Sequence, residues 1–167
     1  MTGRGPAAIA CALAVAAAAV APAGAEPSRS QSFFRAQILA DNATTDEIVD
    51  LLRSGGLVDK KIKFDDLTGD GRQDAVVRVT TGGAAGIVGI YVFTTDGKTQ
   101  SDALRVRFRR QALVRGSTSV AKHVLTYKTR TYAAGDELCC PSEVDEFVVK
   151  WDKDGGRFRT TPATGTT

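Results

Sequence analysis

Asp66, Thr68, Asp70 and Asp74 place oxygen-bearing side chains at the first, third, fifth and ninth positions of one short stretch, with Gly71 at the sixth. That is the spacing of a calcium loop. Calcium takes about six to eight hard oxygens, and such a loop points alternate side chains inward while its seventh residue, here Arg72, offers a carbonyl. Gly71 allows the sharp backbone turn that wraps an ion. The twelfth position, where such a loop closes with a bidentate Glu, is Val77, and Thr68 is a neutral ligand where Asp or Asn is usual. With so few carboxylates the expected affinity is weak, on the order of 0.1–1 mM, and a bound calcium ion would be a structural staple. The same residues have a second reading without an ion, in which Asp66 and Asp70 accept backbone amides and form Asx-turns.

Cys139-Cys140, followed by Pro141 and Ser142, is the next candidate. With one histidine and no further cysteine outside the first residues, a zinc site is poorly supplied. Three states are open to the pair: a vicinal disulfide, two free thiols, or bridges to another chain. The vicinal disulfide is the expectation, as a rigid turn at the end of the loop 133–142. Adjacent α-carbons lie about 3.8 Å apart across a trans peptide, short of the roughly 4.4–6.8 Å of ordinary disulfides, so such a bridge is strained and easily reduced. Arg105, Arg107 and Arg109 alternate with Leu104, Val106 and Phe108, which predicts a shared arginine face. That face is an anion-binding candidate for an acidic protein, a polysaccharide or a lipid headgroup, weighed against a solvated strand face that resists edge pairing. His123, the single histidine, stands beside Val124 and Leu125 and is expected to be packed or half-buried. No G-x-S-x-G, H-E-x-x-H or glycine-rich phosphate loop occurs.

The elements that must position these residues begin after a leader. Residues 1–25 read as a signal peptide, with Arg4, the apolar run 7–20, and Ala23-Gly24-Ala25 as the cleavage site before Glu26. The run is short for a membrane span, and Ala8-Ile9-Ala10 before Cys11 departs from a lipobox. A secreted or periplasmic protein with no transmembrane span in its mature chain is therefore expected, lipid anchoring being the lesser alternative. Residues 26–160 suit a single domain, and 161–167 read as a disordered tail. The formal charge of +3 falls by one when Arg4 leaves, too small a balance for nucleic acid, and aromatic interleaving is lacking. The expected partner is an unidentified envelope or extracellular one.

Periodicity predicts helices over 30–40 and 45–54, the second opened by a Thr44–Glu47 capping box and stopped by Gly55-Gly56. Strands follow over 61–65, 75–80, 86–94, 104–109, 119–130, 146–151 and 157–160, with the 86–94 segment apolar on both faces. Six or seven strands in sequential hairpins after one or two helices give an α+β class, mainly antiparallel sheet.

In order, the blocks FDDLTGDGRQDAVVRV, GIYVF, TYKTRTYAAGDELCCPS and EFVVKWDKDGGRF span Lys61 to Phe158. They resemble the LppP/LprE type of exported actinobacterial lipoprotein and related uncharacterised envelope proteins, most specifically in the Cys-Cys-Pro-Ser block and the strand ending in Trp151. An aspartate loop feeding a strand is also similar to FG-GAP-type repeats, which bind calcium. The resemblance implies an envelope compartment and supplies no catalytic residue. The expected function is an exported non-catalytic binding or structural module, with calcium as its candidate ligand. The alternatives are a metal-assisted hydrolase using Asp65 and the Asp66–Asp74 loop, or an inhibitor-like protein using the arginine face.

Overall fold

Ser28 opens the first helix, α1 (Arg29–Ala40): its hydroxyl accepts the Gln31 amide while the Gln31 side chain accepts the Ser28 amide. The computed structural model in which this is seen describes residues 27–83, 85–95 and 104–163. The expected leader, with Cys11 and the cleavage site, lies outside them. The second helix, α2 (Asp46–Arg53), starts from Thr45, so the Thr44–Glu47 capping box is not made. The reason is local competition, because the Thr44 hydroxyl donates to the Ile38 carbonyl at the end of α1. The chain leaves α2 as predicted at the glycine pair. Gly55 sits at φ 110°, the Gly56 amide donates back to the Leu51 carbonyl at 2.7 Å, and a Cβ on Gly56 would lie 2.5 Å from Leu51 Cγ.

The strands among the described residues are β1 (Leu57–Val58), β2 (Lys63–Asp65), β3 (Asp74–Thr80), β4 (Ile87–Thr95), β5 (Leu104–Arg110), β6 (Ser117–Ala121), β7 (Val124–Thr131), β8 (Glu143–Asp152) and β9 (Arg157–Pro162). They form two antiparallel sheets. In the first, β3 pairs with β4 and β4 with β5, while β1 and β2 pair with β3, at its end and its start. The second runs β6-β7-β8-β9 in chain order. The α+β class and the antiparallel pairing are as expected; the strands among the described residues number nine and divide between two sheets.

Alternation along β3 explains the layering. Ala75, Val77 and Val79 face the helices and pack with Phe34, Ile38, Ile48 and Leu52, whereas Val76 faces the second sheet. In β4, Tyr91 and Phe93 join the helix side and Ile90 and Val92 the sheet side, which is why that strand is apolar on both faces. Leu125, Tyr127 and Val149 close the inter-sheet core from the second sheet, with Phe147 and Phe158 partly buried beside them. Tyr127 and Phe147 stack with centroids 5.0 Å apart, and Trp151 meets Phe158 edge-on at 4.9 Å. Each fully buried side chain of this size contributes about 1.5–3 kcal/mol.

Two stretches depart from the expected elements. The predicted strand over 119–130 is a hairpin, β6 and β7 joined by a two-residue turn at Lys122 (φ 51°) and His123 (φ 61°). His123 is therefore not packed in a strand but stands in the turn, its side chain 69% exposed. At the other end β9 continues through Thr161 and Pro162, two residues into the stretch expected to be a tail, and Pro162 lies opposite Phe147.

Candidate functional site

The aspartate loop connects β2 to β3 and is folded around its own backbone amides. One oxygen of Asp66 accepts the amides of Gly69 (2.7 Å) and Asp70 (3.1 Å), and the other accepts that of Gly71 (2.9 Å). Asp70 accepts the Arg72 amide at 2.9 Å. Asp74 sends one oxygen back across the loop to the amides of Leu67 (2.8 Å) and Thr68 (3.0 Å). Gly69 (φ 72°) and Gly71 (φ 84°) occupy the left-handed conformations that turn successive amides toward Asp66. The Thr68 hydroxyl lies 3.5 Å from Asp66, and the Arg72 guanidinium reaches the Thr95 hydroxyl. Leu67 anchors the loop by inserting into the inter-sheet core, where it is buried.

These surroundings separate the carboxylates electrically. Burial pushes Asp66 up, but the amides of Gly71, Gly69 and Asp70, with His123 nearby, hold its carboxyl below the usual range. Burial dominates at Asp74 and raises it to about 6, with the negative charge of Asp70 adding to the rise and the Thr68 and Leu67 amides opposing it. Asp74 is the only loop carboxylate that is fully buried, being 1% exposed. Among the described residues no group of three or more His, Cys, Asp or Glu side chains is arranged to hold a metal ion. The five predicted ligands Asp66, Thr68, Asp70, Arg72 and Asp74 share one loop, whose carboxylates face its backbone amides.

Across from the loop stands the second sheet. Asp65, the last residue of β2, meets His123 of the β6–β7 turn, Nδ1 to Oδ1 at 2.7 Å. A Cβ on Gly69 would lie 3.5 Å from the Lys153 ammonium, which places Lys153 over the loop. Asp66, Thr68 and Gly69 on one side and His123, Trp151 and Lys153 on the other line a hollow of about 340 Å3. Trp151 was legible as the end of a strand, but nothing in the sequence places it, Lys153 or His123 at the loop.

The predicted arginine face is not formed. The register of β4 against β5 shifts between Val92 and Phe93, leaving Arg107 as the extra residue of a bulge. Val106, opposite Phe93, consequently packs on the helix side, while Phe108, opposite Val92, packs between the sheets. Arg109 lies opposite Tyr91 on the helix side and pairs with Asp41 at 2.9 Å, whereas Arg105 lies opposite Thr94, on the other face. The three arginines therefore share one strand without sharing one surface.

Cys139 and Cys140 are exposed free thiols, so the expected vicinal disulfide is not formed in this structure. They sit at the tip of the loop between β7 and β8. The adjacent Cys140 thiol first, then burial and Glu137, raise the Cys139 thiol above the ordinary range, against the opposing pull of Arg115. Comparison of the chain with known protein families, curated proteins and solved structures finds no match.

Proposed function

We propose that the chain is an exported, non-catalytic binding or structural module of the cell envelope in which the aspartate loop is a clasp closed on its own backbone between β2 and β3. The observation that carries this reading is the use of the loop carboxylates: Asp66 holds three backbone amides and Asp74 holds two. A general base needs a carboxylate with a lone pair aimed at substrate, and these are aimed inward at the chain. The hydrolase alternative would require the clasp to open. The inhibitor-like alternative would require an arginine row that the β5 bulge divides between two faces.

A calcium-stabilised form of the module is favoured by one feature. The charge of Asp70 adds to the raised pKa of Asp74, so like charges crowd the loop and a cation at its mouth relieves them. Such an ion would draw on the exposed Asp70 carboxylate, leaving the amide bonds of Asp66 and Asp74 in place.

The deciding measurement is a set of thermal melts of wild type, Asp66→Ala and Asp70→Ala, in millimolar calcium and in chelator. The clasp predicts that Asp66→Ala loses about 0.5–1.5 kcal/mol in either buffer, the net range for a hydrogen bond whose amides water can reach; unchanged melting would overturn it. A midpoint that rises with calcium in wild type and not in Asp70→Ala supports the calcium-bound form, and a flat response removes it. The exported compartment is checked separately, by the mass of the chain recovered from the envelope fraction, which is expected to begin at Glu26.

A further inference from the structure

The Cys139-Cys140 loop is shaped without help from sulfur. Asp136 gathers it from within, one carboxylate oxygen accepting the Ala133 amide (2.8 Å), the Ser142 amide (2.8 Å) and the Ser142 hydroxyl (2.7 Å). The Leu138 carbonyl accepts from the Tyr132 hydroxyl at 3.2 Å and from the Arg115 guanidinium, which reaches over from the segment before β6. Cys140 donates its amide to the Glu137 carbonyl at 2.9 Å. Residues on both sides of the pair are therefore fixed, and the two thiols are presented to solvent at the tip of a closed loop.

A disulfide here would do little as a staple. Crosslinks stabilise chiefly by removing loop-closure entropy from the unfolded chain, and joining neighbouring residues closes almost no loop. It would also carry strain, because adjacent α-carbons lie about 3.8 Å apart where disulfides span roughly 4.4–6.8 Å. A bridge that adds little to stability and carries strain opens readily. The two thiols belong to adjacent exposed residues, and the Cys139 sulfur donates to the Glu137 carboxylate at 3.5 Å.

We propose that Cys139 and Cys140 form a thiol–disulfide exchange site, closing reversibly to a vicinal disulfide against an organic disulfide and reopening against a thiol. In the closing direction one cysteine, as thiolate, attacks a sulfur of the incoming disulfide and expels one thiolate, leaving a mixed disulfide. The second cysteine, as thiolate, attacks the chain sulfur of that bond and expels the other half. Two chain thiols are oxidised, one incoming disulfide is reduced to two thiols, and the protons lost by the cysteines are taken up by the departing sulfurs. Leu138, 68% exposed beside the pair, offers an apolar contact suited to a protein carrying that disulfide.

The test uses the full chain in redox buffers, with oxidised glutathione in one arm and oxidised protein disulfide isomerase in the other, followed by acid quench, alkylation and peptide mass mapping that separates this pair from Cys11. The expected result is loss of both alkylatable thiols in one step, a peptide lighter by two hydrogens, and full recovery in millimolar reduced glutathione while the chain stays folded. The faster arm identifies the source of the incoming disulfide. Cys139→Ser and Cys140→Ser, each with one sulfur left, are expected to accumulate a mixed disulfide that wild type does not retain. The proposal is overturned if both thiols stay alkylatable in both arms. It is equally overturned if the bridge joins two chains or engages Cys11, or if the closed pair reopens only when the chain unfolds.

Discussion

Asp74 combines burial, two amide partners and a like-charged neighbour, and its protonation should be visible in the stability of the whole chain. Its folded carboxyl titrates at about 6, against about 3.9 for an unfolded Asp. Between those values the folded chain keeps a proton that the unfolded chain has released, so stability falls as pH rises through that window and is flat above it. At about 1.4 kcal/mol per pH unit the full effect is about 3 kcal/mol. Asp66, Asp136 and Asp152 are held below their usual range by hydrogen bonds and pull the other way, stability from them being lost as pH drops below about 4. Urea melts should thus show a maximum near pH 4–5, and Asp74→Asn should flatten the decline above it. Asp74→Ala strips the Leu67 and Thr68 amides of their acceptor and should lie about 2–4 kcal/mol below Asp74→Asn at every pH. Equal stability of the two variants would show that those amides find other partners.

Elements were legible in the sequence where period and punctuation agree. The second helix has an apolar side at Ile48 and Leu52 and a glycine stop, β3 alternates cleanly, and β4 is apolar on both faces because helices cover one and a sheet the other. The loop between β2 and β3 was legible as an acidic turn, but what its carboxylates face depends on amide directions that no side-chain pattern carries. Two features were hidden because their local chemistry is unusual. A two-residue hairpin normally uses Asn-Gly or Asp-Gly to reach positive φ; Lys122-His123 does so with neither, so the alternation reads unbroken from β6 into β7. The bulge at Arg107 likewise flips a strand whose sequence still alternates. The turn yields a prediction at this scale. Left-handed backbone at a non-glycine residue costs about 1 kcal/mol or more, and least for Asn. Lys122→Asn should therefore raise stability by about 0.5–1 kcal/mol in urea melts without touching the His123–Asp65 contact. A loss of stability would mean that the Lys122 side chain contributes more than its backbone strain takes away.

At the scale of the molecule, the first sheet lies between two different covers, with helices on one face and the second sheet on the other. The two sheets meet through the side chains of the inter-sheet core and the contact of His123 with Asp65 at the start of the aspartate loop, and the backbone bridge Ile87–Gly116 ties β4 to the segment before β6. Leu67 serves both, since it holds the loop in place and fills that core. The second sheet has no helix of its own among the described residues, and the outer face of β8 carries Glu146, Lys150 and a partly exposed Val144. Its inner face is thus its principal apolar contact, and the sheet should not outlast separation from the first. Leu125→Ala, at a fully buried position in β7, should cost about 2–5 kcal/mol, whereas Val144→Ala on the outer face should cost well under about 1 kcal/mol. Hydrogen exchange distinguishes coupled from separate sheets. With Leu125→Ala, amides of β3 and β4 should lose protection to the same extent as those of β8, because all report one unfolding event. Selective loss in the second sheet alone would show that the two sheets open independently.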